Sequence, residues 1–356
     1  MRLVFSRVDD GGYVFEIGGR EIKICSPLDI DPAFDDMDFD FFLLYRSDLK
    51  ESDVQEFCIK RGGGGRRIGL VIPVNALTSL DHDFSDKGFF LQYAHTAMSR
   101  GLVAVQDKFN VGCEELDEEF SISDVFSDEC AFLIISKSVV LPEDDFSIER
   151  CLPSLLSYGY VIVGDDGISE IRQGSPREAA KKILVKMNSK ELEDDGFIGH
   201  FINRALSRES SSQFEFFYIY QIFEFLLDKV FCFEQEALVE ELVDVYGDLQ
   251  KTKQVIAKIQ DSSSEKKLLA IMVEKYISAG IDFSGLRDSC NLLLGKLGRE
   301  EGANLNQFLY SVRNFIFHQY RDFPENCKGE LDEVVSELYR VLPDILSGFS
   351  RTSRGA

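Results

Sequence analysis

Strand signals fill the first half of this chain and stop near residue 175. At Gly174-Ser175-Pro176-Arg177-Glu178 the pattern changes. Ser175 can cap a helix, Pro176 suits its first position, and Glu178 stands three residues beyond the cap. A chain divided this way reads as α+β. The expected order is a β-rich mixed domain over 1–175, an all-helical bundle over 176–350, and a disordered tail over 351–356.

Short β-rich runs come first: Leu3–Val8, Tyr13–Ile17 and Glu21–Cys25. Asp9-Asp10-Gly11-Gly12 and Gly18-Gly19 separate them, and glycine pairs between such runs signal hairpins. Phe41–Tyr45, Phe57–Lys60, Ile68–Pro73, Leu102–Gln106, Ala131–Ser136 and Tyr160–Val163 continue the series, with a helix around Phe90–Met98. Beyond the boundary, apolar residues recur at helical spacing. Helices are predicted over 176–188, 194–207, 211–231, 234–246, 248–260, 264–279, 284–298, 304–322 and 328–347. Pro324 falls between the last two as a stop signal.

The formal net charge of −23 argues against indiscriminate binding to nucleic acid, because such a field repels phosphates. The charge is uneven. Residues 1–175 hold 16 basic and 33 acidic side chains, and residues 176–356 hold 23 and 29. The helical half is the less hostile to RNA, and the acidic half is suited to a protein or small-molecule partner. The eight cysteines form no C-x-x-C pair and none has a histidine at finger spacing, so they read as reduced thiols rather than zinc ligands. The start, Met1-Arg2-Leu3-Val4-Phe5-Ser6-Arg7, has the look of a strand rather than a signal peptide, which predicts a cytoplasmic protein. The most apolar stretch, Phe214–Phe233, contains Glu215, Glu224, Asp228 and Lys229, too many charges for a bilayer span. It reads as the central helix of a bundle.

The residues with most chemistry lie in Ser311-Val312-Arg313-Asn314-Phe315-Ile316-Phe317-His318-Gln319-Tyr320. At about 100° per residue, Asn314 and His318 share a helix face and Arg321 extends it. The side chain of Arg313, beside Asn314, can swing toward the same cleft. Leu309, Val312, Phe315 and Ile316 fall on the core side. Histidine moves protons near neutral pH, and arginine holds phosphate with a planar fork of donors. RNA cleavage by its own 2′-hydroxyl needs a base, an acid and stabilisation of the phosphorane charge, with no metal or other cofactor. One chain offers one such histidine. The chemistry therefore calls for a two-fold dimer with a shared cleft. Glu224 in the central helix has two readings: it holds Arg313 or lines the cleft, or it belongs to an exposed stripe.

Arg313-Asn314-Phe315-Ile316-Phe317-His318-Gln319-Tyr320 resembles the R-N-x-x-x-H-x-Y form of the R-x4-6-H motif of HEPN domains. Its place in the penultimate helix of a C-terminal bundle is also similar to that family, as is the upstream stretch Phe216–Phe231 with Tyr220 and Glu224. The resemblance covers roughly residues 210–347. It implies a dimeric, metal-independent ribonuclease of the kind found in toxin–antitoxin, CRISPR and anti-phage systems. Arg313 and His318 would be catalytic, with Asn314 beside them and Glu224 and Arg321 in support. Tyr320 matches a tyrosine that some such toxins expose for modification. The large N-terminal domain and the apparent insertion of helices 234–298 depart from small HEPN toxins. They imply a regulated abortive-infection effector whose N-terminal domain binds a phage or regulatory protein. The alternative is a non-catalytic helical scaffold that dimerises or binds a partner protein.

Other motifs carry less. Arg61-Gly62-Gly63-Gly64-Gly65-Arg66-Arg67 lacks the Gly-Lys-Ser/Thr ending of a phosphate loop and reads as a hairpin turn or flexible loop. Asp81-His82-Asp83 has no second histidine at useful spacing and reads as a solvated loop.

Overall fold

A computed structural model describes residues 5–7, 12–17, 20–31, 34, 38–49, 53–61, 64–109, 119–164, 180–193, 196–261, 264–319 and 323–351. The architecture is α+β, with mixed sheet in the N-terminal half and helices in the C-terminal half. The chain divides into two compact units, Met1–Lys186 and Met187–Ala356.

In the first unit, the glycine-separated runs pair as antiparallel neighbours. β1 (Phe5–Arg7), β2 (Gly12–Ile17) and β3 (Arg20–Cys25) form a sheet completed by β7 (Glu119–Ser121), parallel to β3. The turn residues 8–11 and 18–19 lie outside the described residues. A second sheet has the order β10-β5-β6-β8-β4-β9, built from β4 (Phe39–Tyr45), β5 (Gln55–Arg61), β6 (Gly64–Pro73), β8 (Cys130–Ser136), β9 (Val161–Ile162) and β10 (Lys182–Val185). Every residue of β8 is buried, so both its faces are covered. Phe132 and Ile134 share a core with Leu70, Ile72 and Leu43, with Val74 and Leu77 of the short α1 (Val74–Leu77), and with Phe90, Ala94, Met98 and Leu102 of α2 (Gly88–Phe109). A Cβ at Gly69 would collide with the Ile134 carbonyl, so the close approach of β6 to β8 requires glycine there.

Several expectations need correction. Leu102–Gln106 is not a strand but the continuation of α2: Ala94, Met98 and Leu102 recur every four residues, and all three are buried. Residues 182–185, expected in a helix, form β10, which alternates exposed and buried side chains and pairs in parallel with β5. The sheet therefore extends past 175, and the division falls after Lys186. The Arg61–Arg67 run keeps its hairpin reading: β5 and β6 pair antiparallel with Arg61 opposite Gly64, and Gly62 and Gly63 lie outside the described residues. α3 (Ile148–Ser157), with Cys151, Leu152, Leu155 and Leu156 buried, was not anticipated.

The second unit is helical, with α4 (Phe197–Arg204), α5 (Ser212–Asp244), α6 (Leu249–Asp261), α7 (Glu265–Ile271), α8 (Ser284–Lys296), α9 (Leu305–His318) and α10 (Lys328–Gly348). A π-turn, Met272–Tyr276, continues α7. The two helices expected over 211–246 are one, because no breaker interrupts Phe231–Glu236. α5 is about 50 Å long at 1.5 Å per residue. Its first half buries Phe216, Ile219, Tyr220, Phe223, Leu226 and Val230, and it is flanked by α7, α9 and α10. Its last turns reach out of this core and pair with α6, where Lys258 bonds Glu241. Arg351, expected in a disordered tail, is anchored: its amide donates to Glu191 and its guanidinium to Glu236. Residues 352–356 lie outside the described residues.

No helix among the described residues is long and apolar enough to cross a membrane. Of the cysteines, 58, 130, 151, 290 and 327 are buried, 25 and 232 are exposed, and Cys113 lies outside the described residues.

Candidate functional site

α9 forms because Leu305, Phe308, Leu309, Val312 and Ile316 repeat every three or four residues and bury one side. That fixes the helix phase, and with it the polar side chains. Arg313 and His318, five residues apart, emerge roughly 140° apart around the axis.

Arg313 turns inward to α5 and α7. Its side chain is 17% exposed. One Nη2 donates to Glu224 Oε1 at 3.1 Å, and Nη1 donates to Asn314 Oδ1 at 3.2 Å. Nε lies 3.5 Å from Glu265 Oε1. The guanidinium stacks 4.5 Å from the Phe317 ring centre and 5.6 Å from that of Tyr220. Tyr220 donates its hydroxyl to Glu265 Oε1 at 2.5 Å, and Gln221 Nε2 donates to Glu224 Oε2 at 2.6 Å. Each carboxylate thus has a second donor holding it for the arginine. Burial opposes the charged guanidinium, but the bond to Glu224 and the charges of Glu265 and Glu224 outweigh it, and Arg313 lies above the ordinary arginine value. Burial, then the bond to Glu265, pushes the Tyr220 phenol far upward, so it stays a donor.

His318 points elsewhere. It is exposed, and it lines a groove of about 720 Å³ with Arg299, Glu300, Tyr310, Asn314 and Phe315. No hydrogen bond joins it to Arg313, and among the described residues its ring has no hydrogen-bond partner. Arg313 is not part of the groove lining. Asn314 is the link, since it lines the groove and accepts from Arg313.

The sequence-derived stripe is therefore split. Asn314 and His318 share a face as expected, whereas Arg313 belongs to a half-buried network with Glu224. Phe315, expected on the core side, lines the groove instead. Glu224 takes the first of its two readings and holds Arg313. Tyr320 and Arg321 lie outside the described residues.

Two residues escaped sequence reading. Glu265 opens α7, where the Ser264 hydroxyl caps the helix; the Ser-Glu start was visible, its partner was not. Arg299 follows the end of α8. Gly298, at φ +65°, closes that helix: its N–H donates to Gly295 and that of Arg299 to Leu294.

The remaining histidine motif is structural. His82 Nε2 meets the Ala76 carbonyl at 3.0 Å, its Nδ1 accepts from the Phe84 amide, and its ring packs edge-on to Phe90. Among the described residues, no three His, Cys, Asp or Glu side chains cluster to hold a metal ion. No protein-family model matches the chain, and neither the curated proteins nor the solved structures give a significant match.

Proposed function

We propose that the chain is a metal-independent endoribonuclease of the HEPN type, acting as a homodimer in the cytoplasm. In this reading it is an effector of anti-phage abortive infection, restrained by the N-terminal unit until a phage or regulatory protein engages it. The reading is carried by one observation: an exposed imidazole on the wall of a polar groove, at the end of the helix that bears the R-x4-6-H spacing. His318 would exchange the 2′-hydroxyl or 5′-oxygen proton. Two copies would supply the acid and the base. Arg313 holds Asn314 at the groove edge from behind.

Exposed apolar side chains support the self-association reading. Val239, Val243 and Tyr246 follow one face of α5 into its turn, and Leu249 and Ile256 follow one face of α6. All five are exposed, Tyr246 at 93% and Leu249 at 71%. Grouped exposure of this kind is what interaction sites show.

The test is cleavage of labelled single-stranded RNA in EDTA, alongside growth on induction. His318→Ala should lose at least about 100-fold in cleavage rate and all toxicity, with unchanged helix content. Full activity in that variant overturns the proposal. One observation favours a second reading, a non-catalytic scaffold: Arg313 is held by two carboxylates and two rings, as a structural residue would be. A wild-type protein inert on RNA that still dimerises supports the scaffold.

A further inference from the structure

We propose that Arg299, rather than Arg313, is the guanidinium that receives the RNA phosphate in the His318 groove, with the rings of Phe315 and Tyr310 as the wall for an adjoining base. The proposal rests on the ribonuclease reading and deepens it.

Availability of charge decides between the two arginines. Arg313 is matched by Glu224 and Glu265 and does not line the groove. Arg299 lines it and is exposed. Its Nη2 donates at 3.1 Å to Gln319 Oε1, a neutral amide, and no ion pair engages it among the described residues. A phosphate can displace an amide without leaving a carboxylate unpaired. The side chain is also placed in advance. Its backbone is set by the Gly298 turn, and its guanidinium lies 5.9 Å from the Phe315 ring centre. An arginine resting on an aromatic face beside an exposed imidazole is an arrangement that single-stranded RNA can use, phosphate in the fork and base on a ring.

Glu300 lines the same groove and carries the opposite charge. With the overall charge of −23, it makes the site a poor general polyanion binder. Affinity should therefore depend heavily on the one phosphate that reaches Arg299. A groove of about 720 Å³ lies in the size range of small-molecule sites, which suits a short stretch of nucleotides rather than a duplex.

The experiment measures binding apart from cleavage. The full-length protein is titrated against a fluorescein-labelled, 2′-O-methylated single-stranded oligoribonucleotide, which lacks the nucleophile, and anisotropy is read over a salt series. Arg299→Gln should weaken binding about tenfold or more and reduce the salt slope by about 0.7, one phosphate contact on a single strand. Arg299→Lys should fall between it and wild type, and Glu300→Gln should bind more tightly than wild type. His318→Ala should lose cleavage of the unmodified strand. If Arg299→Gln binds as wild type does while His318→Ala still abolishes cleavage, the Arg299 assignment falls and the ribonuclease reading stands. A wild-type protein that neither binds nor cleaves RNA overturns both.

Discussion

Arg313→Ala should lower the stability of the helical unit by about 3 kcal/mol, and His318→Ala should leave it unchanged. The magnitude follows from the surroundings of each side chain. Breaking a fully buried ion pair costs about 3–5 kcal/mol, and an exposed pair contributes about 1 or less. Arg313 is 17% exposed, and its partners Glu224 and Glu265 are 34% and 26% exposed. That places the loss of both pairs near the lower middle, about 1–2 kcal/mol. Stacking on Phe317 adds about 0.5–1 kcal/mol, and the buried methylene stem about 1. His318 is exposed and has no hydrogen bond to lose among the described residues, so its removal should fall within about 0.5 kcal/mol. The assay is urea unfolding of the full chain followed by circular dichroism at 222 nm, a wavelength that the helical unit dominates. At about 2–3 kcal/mol per molar urea, the Arg313→Ala midpoint should drop by about 1–1.5 M. Glu265→Gln alone should cost less, and in the double variant the two losses should fail to add. A midpoint within about 0.2 M of wild type for Arg313→Ala would refute the anchoring argument. Arg313 would then be free to act directly on substrate.

The exposed hairpin gives a second prediction. Tyr246→Asp combined with Leu249→Glu should convert the proposed homodimer to a monomer by light scattering, with helix content unchanged; an unaltered mass removes the hairpin from the interface. The third concerns His82. Burial, against the Ala76 hydrogen bond and the charges of Asp53 and Asp83, holds its ring below the ordinary value of 6.5. The unfolded chain therefore takes up the proton before the native one does. Stability contributed by the neutral ring is full above pH 6.5 and is lost as pH falls through that value toward the native pKa. The unfolding midpoint of the N-terminal unit should decline from pH 7 to 5.5, and His82→Gln should flatten that decline. An equal slope in both proteins contradicts it.

Local pattern made the elements legible, and tertiary contact decided where the pattern failed. Alternation with glycine breaks was enough for β2, β3 and β6, each of which pairs with the strand just before it in the chain. β10 was missed because it is four residues long and its partner β5 lies over 120 residues away. Leu102–Gln106 misled because a short apolar run satisfies both periods, and only the preceding turns of α2 resolve it. In the site, helix phase correctly placed Asn314 with His318. The direction of Arg313 depended on Glu265, which no spacing along α9 could reveal. Arg299 was invisible for the same reason: it reaches the groove from the end of α8, through a glycine turn.

The separation of Arg313 from His318 bears on how any phosphate could be held. For Arg313 to reach a strand beside His318, it would have to leave Glu224 and Glu265, at roughly the 1–2 kcal/mol assigned to those pairs. Both carboxylates would then stand without a counter-charge beside an arriving anion, held by the neutral donors Tyr220 and Gln221. Arg299 gives up one hydrogen bond to a neutral amide and leaves no carboxylate uncompensated. It also needs no rotation of α9, whose phase is locked by Leu309, Val312 and Ile316 in the core. In the proposed ribonuclease the arrangement that leaves no carboxylate uncompensated would thus be a division of work: Arg313 fixes the helix and Asn314, His318 would handle the proton, and the guanidinium past Gly298 would meet the phosphate.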